Sequence, residues 1–391
     1  MRILIYATSP LCGSGYASAA RYVSAGLIRR GIDCAVYAWN SHVGPILDVG
    51  GVAVFPRGYT AYGAEAIATW VNEWGADILL PIVDPWILPI DKWRANHNAR
   101  VAFWYPVHAT PCSKSILDVV EAGDAALCYS QWGTEEARKA GSLKTKYVPL
   151  GVDPDIYRPR PREECRAALS EVVGKDLSDR WIVGMVAANA STIPLSRKAF
   201  DQALIAFAEF KQSAPDSVFY IHAVAGRQQG GLDLVACARS LGLTVGEDVL
   251  FPRQHLMLTS LTDEAMSRIY GAFDVACQAT MGEGFGLPVL EAQACGVPVI
   301  TTDFSSMPEL TAYGRIADLA ASVWCPDPIS GWCAIPHPAC LAHDMKRMRA
   351  GDADGSQADG LALARSFSWD HVIDDYLLPA LRELAPVEVA A

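Results

Sequence analysis

Short apolar runs that are typical of buried strands alternate along the chain with segments whose apolar residues recur at helical spacing. The first run ends in small residues at Ala7 and is followed by a glycine-containing turn and a helix whose apolar face includes Val23 and Leu27. This order of strand, turn, helix and strand predicts a parallel sheet with right-handed crossovers. The strands predicted in this part of the chain lie at residues 2–7, 33–38, 78–82, 101–105, 125–129 and 146–149.

The same pattern starts again after a stretch rich in proline and arginine at residues 157–162. Further strands are predicted at residues 181–188, 218–224, 274–278 and 297–301. Because 391 residues are many for one core, we expect two domains, each with a doubly wound parallel sheet that binds ligands at the carboxyl ends of its strands, in a cleft. The predicted domains are residues 1–155 and 156–370, with a closing helix at residues 371–391 that packs back on the first domain.

Composition narrows the class of protein. A content of 51% hydrophobic and 19% charged residues is that of a globular chain, and no run of eighteen apolar residues predicts a membrane span. The N-terminal residues enter a strand directly, and the eleven cysteines are scattered without a C-x-x-C pair, so we expect a cytoplasmic protein with reduced thiols. The net charge of −11 disfavours a broad nucleic-acid surface.

The residues that indicate a function are concentrated between Gly282 and Glu291, where the sequence reads GEGFGLPVLE. Glu283 and Glu291 are eight residues apart, and Pro288 between them suits the first turn of a helix. Glu283 is therefore predicted on a glycine-rich loop and Glu291 one turn inside the helix, whose N-terminal N–H groups suit a phosphate. Two carboxylates beside a phosphate site are placed to accept hydrogen bonds from hydroxyls, which indicates recognition of a nucleotide-sugar.

These residues resemble the donor signature of retaining glycosyltransferases of family GT4, also called glycosyltransferase group 1. From Glu283 to Ile300 the chain reads EGFGLPVLEAQACGVPVI, which closely follows the family's two glutamates separated by seven residues. YVPLGVD at residues 147–153 and FSWD at residues 367–370 are similar to segments that end the family's first domain and precede its last helix. The resemblance implies a GT-B fold of two Rossmann-like domains facing a cleft, with the acceptor on the first and the donor on the second.

The resemblance also implies roles. The chain would transfer a hexose from a nucleoside diphosphate sugar, such as a UDP or GDP sugar, to an acceptor hydroxyl, with retention and without metal or another cofactor. Glu291 would hold the ribose and Glu283 the donor sugar, while Arg197 and Lys198, predicted to open a helix, would stabilise the diphosphate charge. The backbone of the donor loop would complete the site with Gly284, Phe285, Gly286 and Leu287.

Candidates in the first domain follow its predicted strands. The turn Gly13-Ser14-Gly15 lies between a strand and a helix, where small residues allow a phosphate or sugar to approach the backbone. It lacks the third glycine of the dinucleotide fingerprint, which disfavours a nicotinamide dehydrogenase. His108 would orient the sugar, or act as a base if the reaction inverts. Asp84, Trp104 and His108 are the candidates for acceptor binding.

Several alternatives stay open. The acceptor would be a sugar, a protein or a modified DNA base, and residues 13–39 are similar to glycosyltransferases of actinobacteria and their phages. The competing functions are a nucleotide-sugar epimerase or phosphorolytic enzyme of the same architecture and a non-catalytic subunit that binds sugar nucleotides. A cluster rich in cysteine and histidine fits no standard zinc spacing, and we expect no metal there; its members are Cys325, Cys333, His337, Cys340 and His343. The sequence does not indicate the oligomeric state.

Overall fold

The computed structural model describes residues 1–40, 42–190, 196–227, 230–259 and 261–384. The chain forms two compact units. The first contains residues Met1–Gly151 and the chain from Phe367 onward, and the second contains residues Val152–Ser366. Residues 385–391 of the predicted closing helix and residues 191–195 of the loop before Arg197 lie outside the described residues.

The first unit is built on an eight-stranded sheet in the order β3-β4-β2-β1-β5-β6-β7-β8. Its strands pair in parallel except for the antiparallel pair of β3 and β4. The strands are β1 (Arg2–Ala7), β2 (Asp33–Ala38), β3 (Leu47–Val49), β4 (Val52–Phe55), β5 (Ile78–Pro81), β6 (Arg100–Tyr105), β7 (Ala125–Cys128) and β8 (Thr145–Tyr147). Their helices are α1 (Gly15–Arg29), α2 (Ile67–Trp74), α3 (Ile90–Trp93), α4 (Lys114–Ala122) and α5 (Gln131–Lys139), with 3₁₀ turns at Ala64–Ala66 and Pro85–Ile87.

The second unit is built on a six-stranded sheet in the order β11-β10-β9-β12-β13-β14, and all of its neighbours are parallel. The strands are β9 (Trp181–Val186), β10 (Ser217–His222), β11 (Val249–Leu250), β12 (Val275–Cys277), β13 (Val299–Thr302) and β14 (Gly314–Ala317), followed by an antiparallel hairpin of β15 (Leu319–Cys325) and β16 (Gly331–Pro336). The helices are α6 (Arg162–Val173), α7 (Phe200–Ser213), α8 (Leu234–Ser240), α9 (Leu256–Thr259), α10 (Asp263–Gly271), α11 (Leu287–Ala294), α12 (Pro338–Arg349) and α13 (Gln357–Ser366), with a 3₁₀ turn at Pro308–Leu310.

In each sheet the order of the strands reverses at one point. In the first unit the change falls between β1 and β5, and in the second it falls between β9 and β12. This is the Rossmann-like doubly wound arrangement, in which ligands bind beyond the carboxyl ends of the two strands at the switch point. The predicted α/β class with two parallel-sheet units is confirmed, whereas the pair β3–β4 and the hairpin β15–β16 were not predicted from the sequence.

The C-terminal segment belongs to the first unit. It contains α14 (Trp369–His371), a π-helical turn (Val372–Leu377) and α15 (Leu378–Arg382). The Trp369 ring stacks on the ring of Tyr22 in α1, with centroids 5.6 Å apart and an interplanar angle of 12°. Gly151 is required at its position because a Cβ there would lie 2.7 Å from Trp369 Cδ2. The C-terminal segment thus packs on helix α1 and on Gly151, where the first part of the first unit ends.

Candidate active site

The loop between β12 and α11 has the local structure that its sequence predicts. Helix α11 begins at Leu287, and Pro288 occupies its first turn, where the missing N–H costs nothing. Gly286 precedes the helix with a φ of 119°, and a Cβ at this position would collide with Met307 Cε. Glycine is therefore required for both backbone conformation and space. Glu283 lies on the loop and Glu291 one turn inside the helix, as predicted.

Two buried serines fix the backbone around Glu283. The Glu283 N–H donates to Ser305 Oγ at 2.9 Å, and Ser306 Oγ donates to the Glu283 carbonyl oxygen at 3.0 Å. The Phe285 carbonyl oxygen shares the same Ser306 hydroxyl hydrogen. Because both serines are almost inaccessible to solvent, water competes little for these bonds, and the loop is held in one conformation.

The Glu283 carboxylate lies between the two predicted cations. Lys198 Nζ is 2.5 Å from Glu283 Oε1, and Arg197 Nη1 is 3.3 Å from Glu283 Oε2. Thr280 Oγ1 donates to Oε1 at 3.2 Å, and Arg197 also donates to the Gly282 carbonyl oxygen. Since all three ionic side chains are 17–25% exposed, their interactions are screened less than those of a surface pair.

Arg197 and Lys198 lie in a turn and not in a helix. Helix α7 begins only at Phe200, after Ala199 with a φ of 50°. The prediction that the two cations open a helix is therefore wrong: the left-handed residue ends the turn before the helix starts. Backbone bonds tie this turn to the donor loop, since the Met281 N–H donates to the Arg197 carbonyl oxygen at 2.8 Å. The turn follows β9 and the loop follows β12, so the group lies at the switch point of the second sheet.

Glu291 accepts a hydrogen bond that was not predicted from the sequence. Tyr270 Oη, on α10, donates to Glu291 Oε2 at 2.6 Å, and the Tyr270 side chain is fully buried. Burial, and then the negative charge of Glu291, raises the pKa of Tyr270 well above its ordinary value. The phenol therefore stays protonated and donates to the carboxylate. The only signal in the sequence is a tyrosine on an apolar helix face, where a buried hydroxyl needs a partner.

The glycine turn of the first unit caps a helix. Ser14 is the N-cap of α1, and its Oγ accepts from the Ala17 N–H at 3.2 Å. Gly13, Ser14 and Gly15 are exposed and follow β1, one of the two strands at the switch point of the first sheet. This is a position at which a doubly wound sheet can present backbone N–H groups to a ligand.

Of the three candidates for acceptor binding, Asp84 and His108 lie near Trp86, whereas Trp104 lies in the core. His108 is 6% exposed and its ring meets the Trp86 ring edge to face, with centroids 5.8 Å apart. Asp84 follows β5 and precedes the 3₁₀ turn that contains Trp86. Trp104 is fully buried and donates its indole N–H to the Val148 carbonyl oxygen at 2.7 Å. Trp104 is therefore a core residue and not an acceptor-binding residue, because no part of its side chain is exposed to a ligand.

The cysteine- and histidine-rich segment does not gather its members. Within the described residues, no group of three or more His, Cys, Asp or Glu side chains is arranged to hold a metal ion. Cys325 and Cys333 are hydrogen-bonded to each other, and this bond lowers the pKa of Cys325. Cys340 Sγ is instead 4.0 Å from Asp318 Oδ2.

In the same described parts of the chain, no helix combines the length and apolar character needed to cross a membrane.

One segment of the chain matches a known protein family. The family model of glycosyl transferases group 1 matches residues 195–317, which include Arg197, Lys198, Glu283 and Glu291. The chain is similar to D-inositol 3-phosphate glycosyltransferase of Actinosynnema mirum, with 30% identity over 61% of this chain and 52% of that protein. The protein of the same name from Mycolicibacterium paratuberculosis is 32% identical over 62% of this chain and 50% of its own length. The chain thus spans about half the length of the curated relatives it matches.

Solved structures share the fold over nearly the whole chain. The sucrose-phosphate synthase of Thermosynechococcus elongatus has a TM-score of 0.75 at 16% identity and covers 98% of this chain and 99% of its own. The Anabaena protein Alr3699/HepE in complex with UDP-glucose has a TM-score of 0.72 at 15% identity and covers 98% of this chain and 100% of its own. At such low identities the likeness shows the fold alone. The likeness supports the GT-B fold, and the segment of residues 195–317 resembles the group 1 glycosyl transferases.

Proposed function

We propose that the protein transfers a hexose from a nucleoside diphosphate sugar to an acceptor hydroxyl. One observation carries this proposal: the Glu283 carboxylate lies between Arg197 and Lys198 at the carboxyl ends of two adjacent strands. A fixed pair of cations beside a carboxylate that can accept hydroxyl hydrogen bonds suits the junction of a diphosphate with a sugar. The family relationship and the UDP-glucose of the Anabaena structure support this class of donor.

Each charged group has a role in the donor complex. Glu291, oriented by the Tyr270 hydroxyl, accepts hydrogen bonds from the ribose, and Glu283 accepts them from the hexose. Arg197 and Lys198 stabilise the charge that gathers on the diphosphate as the glycosidic bond breaks. The N–H groups at the start of α11 add a partial positive charge to the same end of the sheet.

We further propose retention of configuration, with the leaving phosphate accepting the proton of the acceptor hydroxyl. No protein nucleophile is needed in this reaction, and His108 orients the sugar. Cations and a helix N-terminus take the place of a metal ion.

We propose a cytoplasmic location because all eleven cysteines are free thiols.

The test is a donor screen with the intact chain. UDP-glucose, UDP-galactose and GDP-mannose are incubated with the protein, and the released nucleoside diphosphate and the sugar products are quantified with and without EDTA. We expect release from one donor class, unaffected by EDTA. The double change Arg197→Ala with Lys198→Ala should lower turnover by at least about tenfold, or ~1.4 kcal/mol. Arg239→Ala, at an exposed arginine of α8, is the control.

The alternative functions have their own products. An epimerase converts the donor into an isomeric nucleotide-sugar without any acceptor, and a binding subunit retains the donor without turnover. Either result would overturn the proposed transfer. Activity that is lost in EDTA and restored by a divalent ion would overturn its metal-free form.

A further inference from the structure

Two cysteines of the hairpin β15–β16 lie side by side on its buried face. Cys325 is opposite Gly331 in the register of the two strands. Cys333 is opposite Val323, so the two cysteines are diagonal neighbours on one face of the hairpin. They are 1% and 0% exposed, and their thiols are hydrogen-bonded to each other. The segment rich in cysteine and histidine therefore contains a close pair of thiols that the proposed transfer reaction does not use.

The two thiols differ in reactivity. The hydrogen bond that Cys333 donates lowers the pKa of Cys325, although burial opposes this effect. The same bond, and then burial, raises the pKa of Cys333 well above its ordinary value. The positive charge of Arg197 favours the thiolate form of both cysteines. Because the thiolate is the reactive form, Cys325 is the nucleophile of the pair, and Cys333 is placed to react with it in a second step.

Strand β16 connects this pair of thiols to the donor site. The N–H of Ala334, the residue after Cys333, donates to the Met281 carbonyl oxygen at 2.9 Å. The Met281 N–H donates in turn to the Arg197 carbonyl oxygen at 2.8 Å, and the Arg197 side chain is paired with Glu283. A movement of β16 is therefore passed through two backbone hydrogen bonds to the residue that carries one of the two donor-site cations.

A disulfide between these thiols requires the hairpin to change shape. Diagonal neighbours in an antiparallel pair are roughly 7–8 Å apart, whereas the Cα atoms of a disulfide usually lie within about 6.8 Å of each other. The two strands therefore shift when the bond forms. Strands β15 and β16 form a two-stranded sheet of their own, and such hairpins are marginally stable. Local opening of the hairpin can admit a small oxidant while the six-stranded sheet stays folded.

We propose that Cys325 and Cys333 are a site of reversible oxidation by hydrogen peroxide that lowers the activity of the donor site. The Cys325 sulfur attacks one peroxide oxygen and the O–O bond breaks. The other oxygen leaves as water with the thiol proton, and Cys325 becomes a sulfenic acid. The Cys333 sulfur then attacks the Cys325 sulfur, and the S–O bond breaks as the hydroxyl leaves as water with the Cys333 proton.

The two thiols lose two electrons in this sequence, and hydrogen peroxide is reduced to two water molecules. A dithiol reductant reverses the reaction by thiol–disulfide exchange. The loss of donor turnover rests on the proposed transferase function, whereas the oxidation of the two thiols does not.

The test treats the intact, reduced chain with hydrogen peroxide, blocks the remaining thiols and maps the disulfides by mass spectrometry of peptides. We expect a Cys325–Cys333 disulfide and a loss of donor turnover of at least about tenfold, as for a small misplacement of a catalytic group, with recovery in dithiothreitol. Cys325→Ala should keep its own turnover in peroxide. Cys333→Ala should accumulate a sulfenic acid at Cys325 that dimedone traps. Cys237→Ala, at a more accessible thiol on α8, is the matched control and should respond like the wild type.

Three outcomes would overturn the switch. They are a treated wild type without the Cys325–Cys333 disulfide, a disulfide that leaves donor turnover unchanged, and a Cys325→Ala variant that peroxide inactivates as strongly as the wild type. The peptide map of the wild type needs no variant, so it decides the first outcome even if a variant fails to fold. A reduced wild type without donor turnover refutes the proposed function, and the peptide map still decides whether the two thiols are oxidised to a disulfide.

Discussion

At the scale of single residues, the group of Glu283, Arg197 and Lys198 combines two opposed requirements. Two cations and one carboxylate leave one net positive charge in this group. Without Glu283 the cations would repel each other in a partly buried place, and without the cations the carboxylate would repel a diphosphate. The arrangement thus holds the two cations next to each other while keeping one positive charge available for the donor.

The first prediction concerns the Glu283 side chain. Glu283→Gln should lower turnover by roughly a hundredfold, because the hexose loses a charged acceptor in the transition state. Affinity for UDP should be equal to that of the wild type or tighter, since the two cations lose the carboxylate that partly neutralises them. Steady-state kinetics and calorimetry with UDP measure the two effects, with the exposed Glu171→Gln as control. A loss of UDP affinity as large as the loss of turnover would contradict the sugar-binding role.

The second prediction concerns the hydrogen bond to Glu291. Tyr270→Phe removes only the donor to this carboxylate, so UDP affinity should fall by roughly ten- to a hundredfold, in line with the ~1.5–3 kcal/mol of a hydrogen bond to a charged group. Because the pKa of Tyr270 is raised well above its ordinary value, the phenol stays protonated and the ratio of affinities should be constant between about pH 6 and 9.

The matched change is Tyr220→Phe, which removes a buried hydroxyl bonded to His222 in the same unit. It should leave UDP affinity unchanged. If both tyrosine variants lose affinity equally, the effect is one of general stability and Tyr270 does not position Glu291.

At the scale of elements, the donor loop was predictable because its determinants are local. A proline at the helix start, glycines before it and a strand on either side are all read from adjacent residues. The turn of Arg197 and Lys198 was misjudged because the left-handed Ala199 that delays helix α7 has no signature in the sequence. The Tyr270–Glu291 bond joins two different helices and depends on tertiary placement, which hydrophobic periodicity does not give.

The third prediction concerns the conformation of the donor loop. Gly286→Ala should destabilise the protein by about 1–3 kcal/mol, because alanine is strained at a φ of 119° and its Cβ meets Met307. For a unit of this size the loss corresponds to about 2–4 °C in Tm per kcal/mol. Thermal unfolding and UDP affinity should both be reduced.

Gly226→Ala is the control for this prediction, because Gly226 has no atom within 4 Å of the added Cβ and an ordinary φ. It should leave Tm nearly unchanged. Equal Tm values for the two alanine variants would mean that the loop tolerates a side chain at its helix start.

At the scale of the whole molecule, each unit was predictable as a strand–helix alternation, whereas the residues at which the chain passes from one unit to the other depend on packing between distant parts of the sequence. The first unit ends at Gly151 and resumes at Phe367, whereas the sequence predicts boundaries at 155 and 370. The close approach of Trp369 to Gly151 and Tyr22 explains why the return begins early: the tryptophan is already part of the first unit. A glycine and a tryptophan more than 200 residues apart carry no sign of each other in the sequence.

The last prediction tests this division of the chain. Trp369→Ala removes a nearly buried ring from the first unit, and a loss of about 3–5 kcal/mol is expected for such a change. Hydrogen exchange followed by mass spectrometry should then speed up in α1 and in the segment from Trp369 to Arg382, while β9 to β14 keep their protection. Trp181→Ala, which removes a ring packed on Phe210 in the second unit, is the matched change and should show the reverse pattern. If either variant speeds exchange equally in both units, the two units do not unfold separately and the C-terminal segment stabilises the molecule as a whole.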